Sequence, residues 1–217
     1  MNAHCVVAID GPAASGKSSV ARELARRLGF AYVNSGAMYR AVTWHILQRG
    51  IAPNDARRIT ALVDAASIIC DLVDHESRIK IDQVDPAQHL RDDPVNNAVS
   101  QVSTVPEVRK VLTERMRHYA RDHDVVVEGR DIGSVVFPDS RYKFYIDAAP
   151  EVRFRRRVAE GQSDKIAARD RVDSSRLASP LVISRDAHVI DSSNLTIEGV
   201  VGEIIRLLRM KGLKLPA

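Results

Sequence analysis

Cysteine is scarce: Cys5 and Cys70 are the only two in 217 residues, and they form no Cys-x-x-Cys or Cys/His cluster. That excludes a zinc frame and a disulfide scaffold, and it fits a reducing compartment. Long apolar runs are also missing. The run nearest the N-terminus, Cys5 to Ile9, has five residues and stops at Asp10, too short for a signal-peptide core or a membrane span. The expectation is a cytoplasmic protein that engages no membrane. No repeat, low-complexity tract or Pro/Ser-rich linker marks off a second independent domain. Lysine is scarce as well: of 32 basic residues seven are lysine and 25 arginine, within a net charge of only +4. Arginine presents a planar fork that holds phosphate oxygens in pairs, whereas lysine is a flexible point charge. The bias points to an acidic, planar ligand, although composition alone leaves a solvated basic surface or a nucleic-acid binder open.

The apolar share, 45%, is enough for a sizeable core in one α/β body. Cys5 to Asp10 reads as a strand, followed by a glycine loop and by Val20, Leu24 and Leu28 at helical spacing. Ala31 to Val33, Val125 to Glu128, Tyr142 to Ile146 and His188 to Ile190 have the same buried-strand character, separated by helix-compatible sequence. Five such strands alternating with helices predict a parallel sheet with helices on both faces. Between Thr60 and Pro94 the pattern changes: Ile68 to Leu72 and Arg78 to Asp82 read as short strands around a His75-Glu76-Ser77 turn, a small antiparallel insert. Ala98 to Arg121 reads as helix broken near Pro106, Pro150 to Glu160 as a strongly basic helix, and Ile197 to Met210 as an amphipathic one.

Gly11-Pro12-Ala13-Ala14-Ser15-Gly16-Lys17-Ser18 fits G-x-x-x-x-G-K-[ST] at every fixed position, between a strand and a helix. Glycines let the backbone wrap around phosphates, and the N–H groups of the helix start, through Ser19, add partial positive charge. Lys17 reaches the β/γ oxygens and the Ser18 hydroxyl ligates Mg²⁺. No Asn-Lys-x-Asp guanine reader accompanies the loop, and the chain is short for a motor or transporter ATPase. A small-molecule kinase is the leading class.

Three further clusters are dense in arginine and carboxylate: Ser35-Gly36-Ala37-Met38-Tyr39-Arg40, Glu128-Gly129-Arg130-Asp131-Ile132-Gly133 at a strand end, and 169–181, with Arg169, Asp173 and Arg176. Together with Asn97 to Val102 and Pro106 to Arg109, these stretches resemble the bacterial cytidylate kinase family over essentially the whole chain. The resemblance implies a P-loop nucleoside monophosphate kinase fold that transfers the γ-phosphoryl group of ATP to CMP or dCMP. It implies a core (1–34, 122–150 and 182–217), an acceptor-binding part carrying the insert (35–121) and a lid (151–181), in a monomer that takes small nucleotides and no nucleic acid. Carried over residue by residue, Arg40 and Arg130 resemble ligands of the acceptor phosphate, with Ser35 beside them. Arg169 and Asp173 resemble sugar contacts, and Ser100, Arg109, Asp131 and Arg176 resemble residues around the cytosine. Arg157, with Arg153 or Arg156, is expected at the transferring phosphoryl group, and Glu128 near the metal. The sequence departs from the family pattern in its lid, where Gly161 to Ile166 is all that separates Glu160 from Ala167.

The chemistry of cytosine fits this set. A carboxylate such as Asp131 suits the exocyclic amine, whereas uracil sets a carbonyl there and leaves buried polar groups unpaired. The rival readings are a kinase of UMP, AMP or a non-nucleotide alcohol on the same fold, and an ATPase stimulated by nucleic acid bound along Arg153 to Arg176.

Overall fold

The structure is a computed structural model and describes residues 4–159 and 181–214. Among the described residues seven strands form one sheet: β1 (Val6–Asp10), β2 (Ala31–Asn34), β3 (Ile68–Val73), β4 (Glu76–Ile81), β5 (Val125–Gly129), β6 (Tyr142–Asp147) and β7 (His188–Asp191), in the order β3-β4-β2-β5-β1-β6-β7. The five strands from β2 to β7 run parallel, as the alternation of strand and helix predicts. The described helices are α1 (Lys17–Leu28), α2 (Ser35–Gln48), α3 (Ala56–Ala65), α4 (Asp93–Val102), α5 (Pro106–Asp122), α6 (Pro150–Ala159) and α7 (Ile197–Met210).

Period-two alternation divides the core. Val7, Ile9 and Val126 face α1 and α7, where Leu24, Val201 and Ile204 are buried against them. Their neighbours Ala8, Val125 and Val127 face the other way, onto Met38 and Ile46 of α2 and Leu112 and Met116 of α5. Both faces are therefore sealed, and central strands read as continuous apolar runs.

The insert differs from expectation in two respects. Its turn is Asp74-His75, not His75 to Ser77; both residues hold positive φ (51° and 62°), the conformation a two-residue hairpin requires. Glu76 and Ser77 are already in β4, paired with Val73 and Leu72. The hairpin also joins the main sheet, through Tyr32 beside Glu76, so the sheet has seven strands where five were read for its core. Pro106 falls at the start of α5, where a missing N–H costs nothing, which explains the break between α4 and α5.

Strand order reverses at β1, since the chain passes to β2 on one side and returns later to β6 on the other. In open parallel sheets the crevice beyond the strands' carboxyl ends at such a switch point receives the ligand. The glycine loop, Ser35, Arg130-Asp131 and Ser192 all follow carboxyl ends of strands in this sheet. Among the described residues no helix is long and apolar enough to cross a membrane.

Candidate active site

The loop after β1 starts at Gly11, whose φ is 155° and where an added Cβ would stand 2.1 Å from the Ile146 carbonyl oxygen. Only glycine fits there. Gly16 is left-handed (φ 88°) and precedes α1 without a side-chain cap, and the N-terminal end of a helix carries the partial positive charge that suits an anion. The Lys17 ammonium is buried and donates to the Pro12 carbonyl at 3.2 Å. Ser18 Oγ donates to Oε1 of the buried Glu128 at 2.8 Å. The Tyr32 hydroxyl also reaches that oxygen, at 3.4 Å; burial, with the charge of Glu128, raises the Tyr32 pKa and keeps its phenol protonated.

Across the cleft stand the arginines. Arg40 lies on the second turn of α2, a helix capped by the Asn34 side chain accepting from the Ala37 N–H at 2.9 Å. Its guanidinium donates to the Gly36 carbonyl at 3.0 Å and to Asn96 Oδ1 at 3.4 Å, and Asn96 is itself held by donating to the Arg91 carbonyl at 2.8 Å. Arg130 donates to the Gly129 carbonyl at 3.3 Å. The carboxylate of Asp131 pairs with Arg109 of α5, both groups buried, and the Arg109 guanidinium also lies over the Tyr39 ring at 5.7 Å. Buried charges are costly to desolvate and persist where a partner, or a role, compensates.

These groups share one cleft of about 480 Å³, which Lys17, Ser18, Arg40, Arg130, Asp131 and Arg157 all line. Ala13, Ala14, Gly16 and Ser19 line it from the loop, Ser35 from α2, Ser100 from α4, and Glu128, bonded to Ser18, from β5. The Ser35 hydroxyl donates to the Glu128 carbonyl at 2.7 Å. Arg109 is not itself in the lining and meets the cleft through its pair with Asp131. Arg169, Asp173 and Arg176 lie outside the described residues.

Arg153 and Arg156 have a different setting from Arg157. Arg153 donates to the carbonyls of Ala148 (3.1 Å) and Ala13 (3.2 Å). Arg156 donates to Ser15 O at 3.2 Å and to Ser192 O at 2.7 Å, and the Ser192 hydroxyl donates to Ser15 O at 2.8 Å. Two arginines of α6 thus grip the carbonyl side of the phosphate loop, the side opposite in polarity to the amides that an anion needs.

Sequence reasoning missed Asn96, Ser192 and Asp10. Asp10 ends β1 and is buried; its two oxygens accept from the N–H groups of Ile132 and Gly133, both at 2.8 Å. Burial pushes its pKa up to about 6, the two N–H bonds pull it back, the Asp131 charge adds to the rise and Arg130 opposes it. An apolar strand ending in aspartate just before the glycine loop was the available signal.

A shikimate kinase from Acinetobacter baumannii aligns with 97% of this chain and 96% of its own at a TM-score of 0.50 and 15% identity, a likeness of fold. Relatives are closer in sequence. A cytidylate kinase from Caldanaerobacter subterraneus subsp. tengcongensis is 40% identical, over 94% of each chain, and one from Mycobacterium leprae is 42% identical, over 95% of this chain and 96% of its own. The family model described as cytidylate kinase matches residues 7–210, and with such relatives along nearly its whole length, the chain belongs to the cytidylate kinase family.

Proposed function

We propose that the protein transfers the γ-phosphoryl group of ATP to CMP or dCMP, giving ADP and CDP or dCDP. The observation that carries this reading is the shared cleft: an amide-lined phosphate loop with Lys17 on one side, and Arg40, Arg130 and Asp131 on the other. Gly11 to Ser19 cradle the ATP phosphates, with Lys17 on the β/γ oxygens. Arg40 and Arg130 hold the acceptor phosphate. Asp131 accepts from the cytosine amine while Arg109 fixes its carboxylate, and Ser100 and Arg176 complete the base site. Arg169 and Asp173 contact the sugar. The base contacts set specificity, because a carbonyl opposite Asp131 leaves two acceptors facing each other.

The attacking group is an oxygen of the acceptor monophosphate, whose second pKa is near 6. It is already ionised at neutral pH, so no general base is required. Rate then comes from aligning two anionic groups and neutralising the charge spread over the transferring phosphoryl. Arg157, which lines the cleft, supplies part of that neutralisation with Lys17, and Arg153 contributes through the phosphate loop, whose Ala13 carbonyl it holds. Mg²⁺ fits the donor set at Ser18, a hydroxyl on the phosphate loop backed by the buried Glu128 carboxylate, since this ion binds through few protein groups and retains waters. Ser18, with Glu128 behind it, would hold the ion, which would supply positive charge to offset that of the phosphates. Residues 1–34, 122–150 and 182–217 act as the core, 35–121 as the acceptor-binding part and 151–181 as the lid, in a cytoplasmic monomer.

One panel tests the assignment: ATP turnover with CMP, dCMP, UMP, AMP or single-stranded DNA, with and without EDTA. CMP and dCMP should be turned over much faster than UMP or AMP, EDTA should abolish transfer, and DNA should have no effect. AMP turned over as fast as CMP, or ATP hydrolysis stimulated by DNA, would defeat the reading.

A further inference from the structure

Asp10 belongs to neither half of the site as described, yet it joins them. It is the last residue of β1, paired across the sheet with Gly129 of β5 and Tyr145 of β6, and the next residue, Gly11, begins the phosphate loop. Its side chain is 5% exposed and turns toward the segment after β5, where Oδ1 takes the Ile132 N–H and Oδ2 the Gly133 N–H, both at 2.8 Å. The first of those N–H groups belongs to the peptide that immediately follows Asp131.

Asp131 itself sits at φ −143°, ψ 25°, a sparsely populated backbone region. It leads into a π-helical turn, 132–136, in which its carbonyl accepts from the N–H groups of Val135 (2.9 Å) and Val136 (3.1 Å). Asp10 therefore grips the donor side of the peptide after Asp131, and the π turn grips the acceptor side of the same peptide. Single π turns of this kind concentrate at functional sites. With that peptide fixed, the Asp131 carboxylate is held on Arg109 and over the cleft, and Arg130 is fixed just before it.

We propose that Asp10 is a positioning residue for the acceptor: from the root of the donor loop, it sets the orientation of the Arg130-Asp131 turn and so aligns acceptor with donor. The inference rests on the acceptor roles given above to Arg130 and Asp131. A carboxylate is the side chain that can accept two adjacent N–H groups with two equivalent oxygens. Asparagine keeps the shape but turns its amide NH2, a donor, toward one N–H.

The test compares Asp10→Asn with the parent protein in steady-state kinetics at pH 7.5, varying CMP and ATP separately. The KM for CMP should rise about tenfold, since an ångström-scale misplacement of an oriented group costs up to about 100-fold, while the KM for ATP stays within about twofold. Unchanged KM values for both substrates, or equal rises in both, would overturn the proposal. Hydrogen exchange on the unmodified protein gives a readout independent of the variant's folding. The amides of Ile132 and Gly133 should be protected to the level of the β5 amides, and exchange at the rate of an exposed loop would overturn it equally. Asp131→Asn, run in parallel, judges the cytosine assignment separately. If CMP preference over UMP survives that change the base reading fails, while the split between the two KM values at Asp10 still decides whether Asp10 positions the turn.

Discussion

At the residue scale, the candidate site is a set of charges brought out of water and kept there by specific partners. Among the described residues Asp131 and Arg109 form its most buried ion pair. Asp131→Ala strands the Arg109 guanidinium and is expected to lower stability by about 3–5 kcal/mol, measured by denaturant unfolding, and to erode the preference for CMP over UMP by about 10–100-fold in kcat/KM. Loss of stability with an intact preference would place the pair in structure alone. Asp10 carries a pH signature. Its carboxyl ionises at about 6 in the fold against an ordinary 3.8, so between those values the folded protein keeps a proton that the unfolded chain has released. Stability from this group is full below the lower value and is lost as pH rises through the higher one, by about 3 kcal/mol at most. The unfolding free energy of the parent minus that of Asp10→Asn should accordingly fall between about pH 4 and pH 7, and a flat difference would contradict it. Motif residues such as Lys17, Ser18, Arg40 and Arg130 were legible in the sequence because local spacing announces them. Asp10, Asn96 and Ser192 were not, because their meaning lies in partners far along the chain: Ser192 acts on Ser15, 177 residues away.

At the scale of elements, the phosphate loop is shaped from behind. Gly11→Ala would force a Cβ against the Ile146 carbonyl, and an overpacked position of this kind costs about 1–3 kcal/mol; activity should be lost along with the stability, as thermal unfolding and ATP turnover would reveal. Arg156 of α6 ties Ser15 to Ser192. Arg156→Ala should raise the KM for ATP about 3–10-fold, the loss of one or two charge-assisted hydrogen bonds offset in part by water, and leave the KM for CMP nearly unchanged. An equal effect on both substrates would show that α6 does not act through the loop. Sequence periodicity gave α7 its limits, and Pro106 gave the break between α4 and α5. The hairpin was harder, because Asp74 and His75 adopt left-handed backbone without a glycine to advertise it, and the pairing of Tyr32 with Glu76 is a tertiary fact that no local pattern encodes.

At the scale of the whole molecule, topology makes the site. Parallel strands connected through helices place their carboxyl ends on one edge of the sheet, and the reversal at β1 opens the crevice there. Clusters near residues 17, 40 and 130 therefore converge although they are distant in sequence. The parallel order was legible because apolar runs alternate with helical ones; that the hairpin would extend the same sheet was not. The central claim is that donor and acceptor occupy one continuous cleft in line for transfer. It is tested most directly by an inhibitor that joins adenosine and cytidine 5′ to 5′ through five phosphates. The result expected is competition with both ATP and CMP by a single bound molecule; competition with ATP alone, CMP binding being undisturbed, would contradict the account.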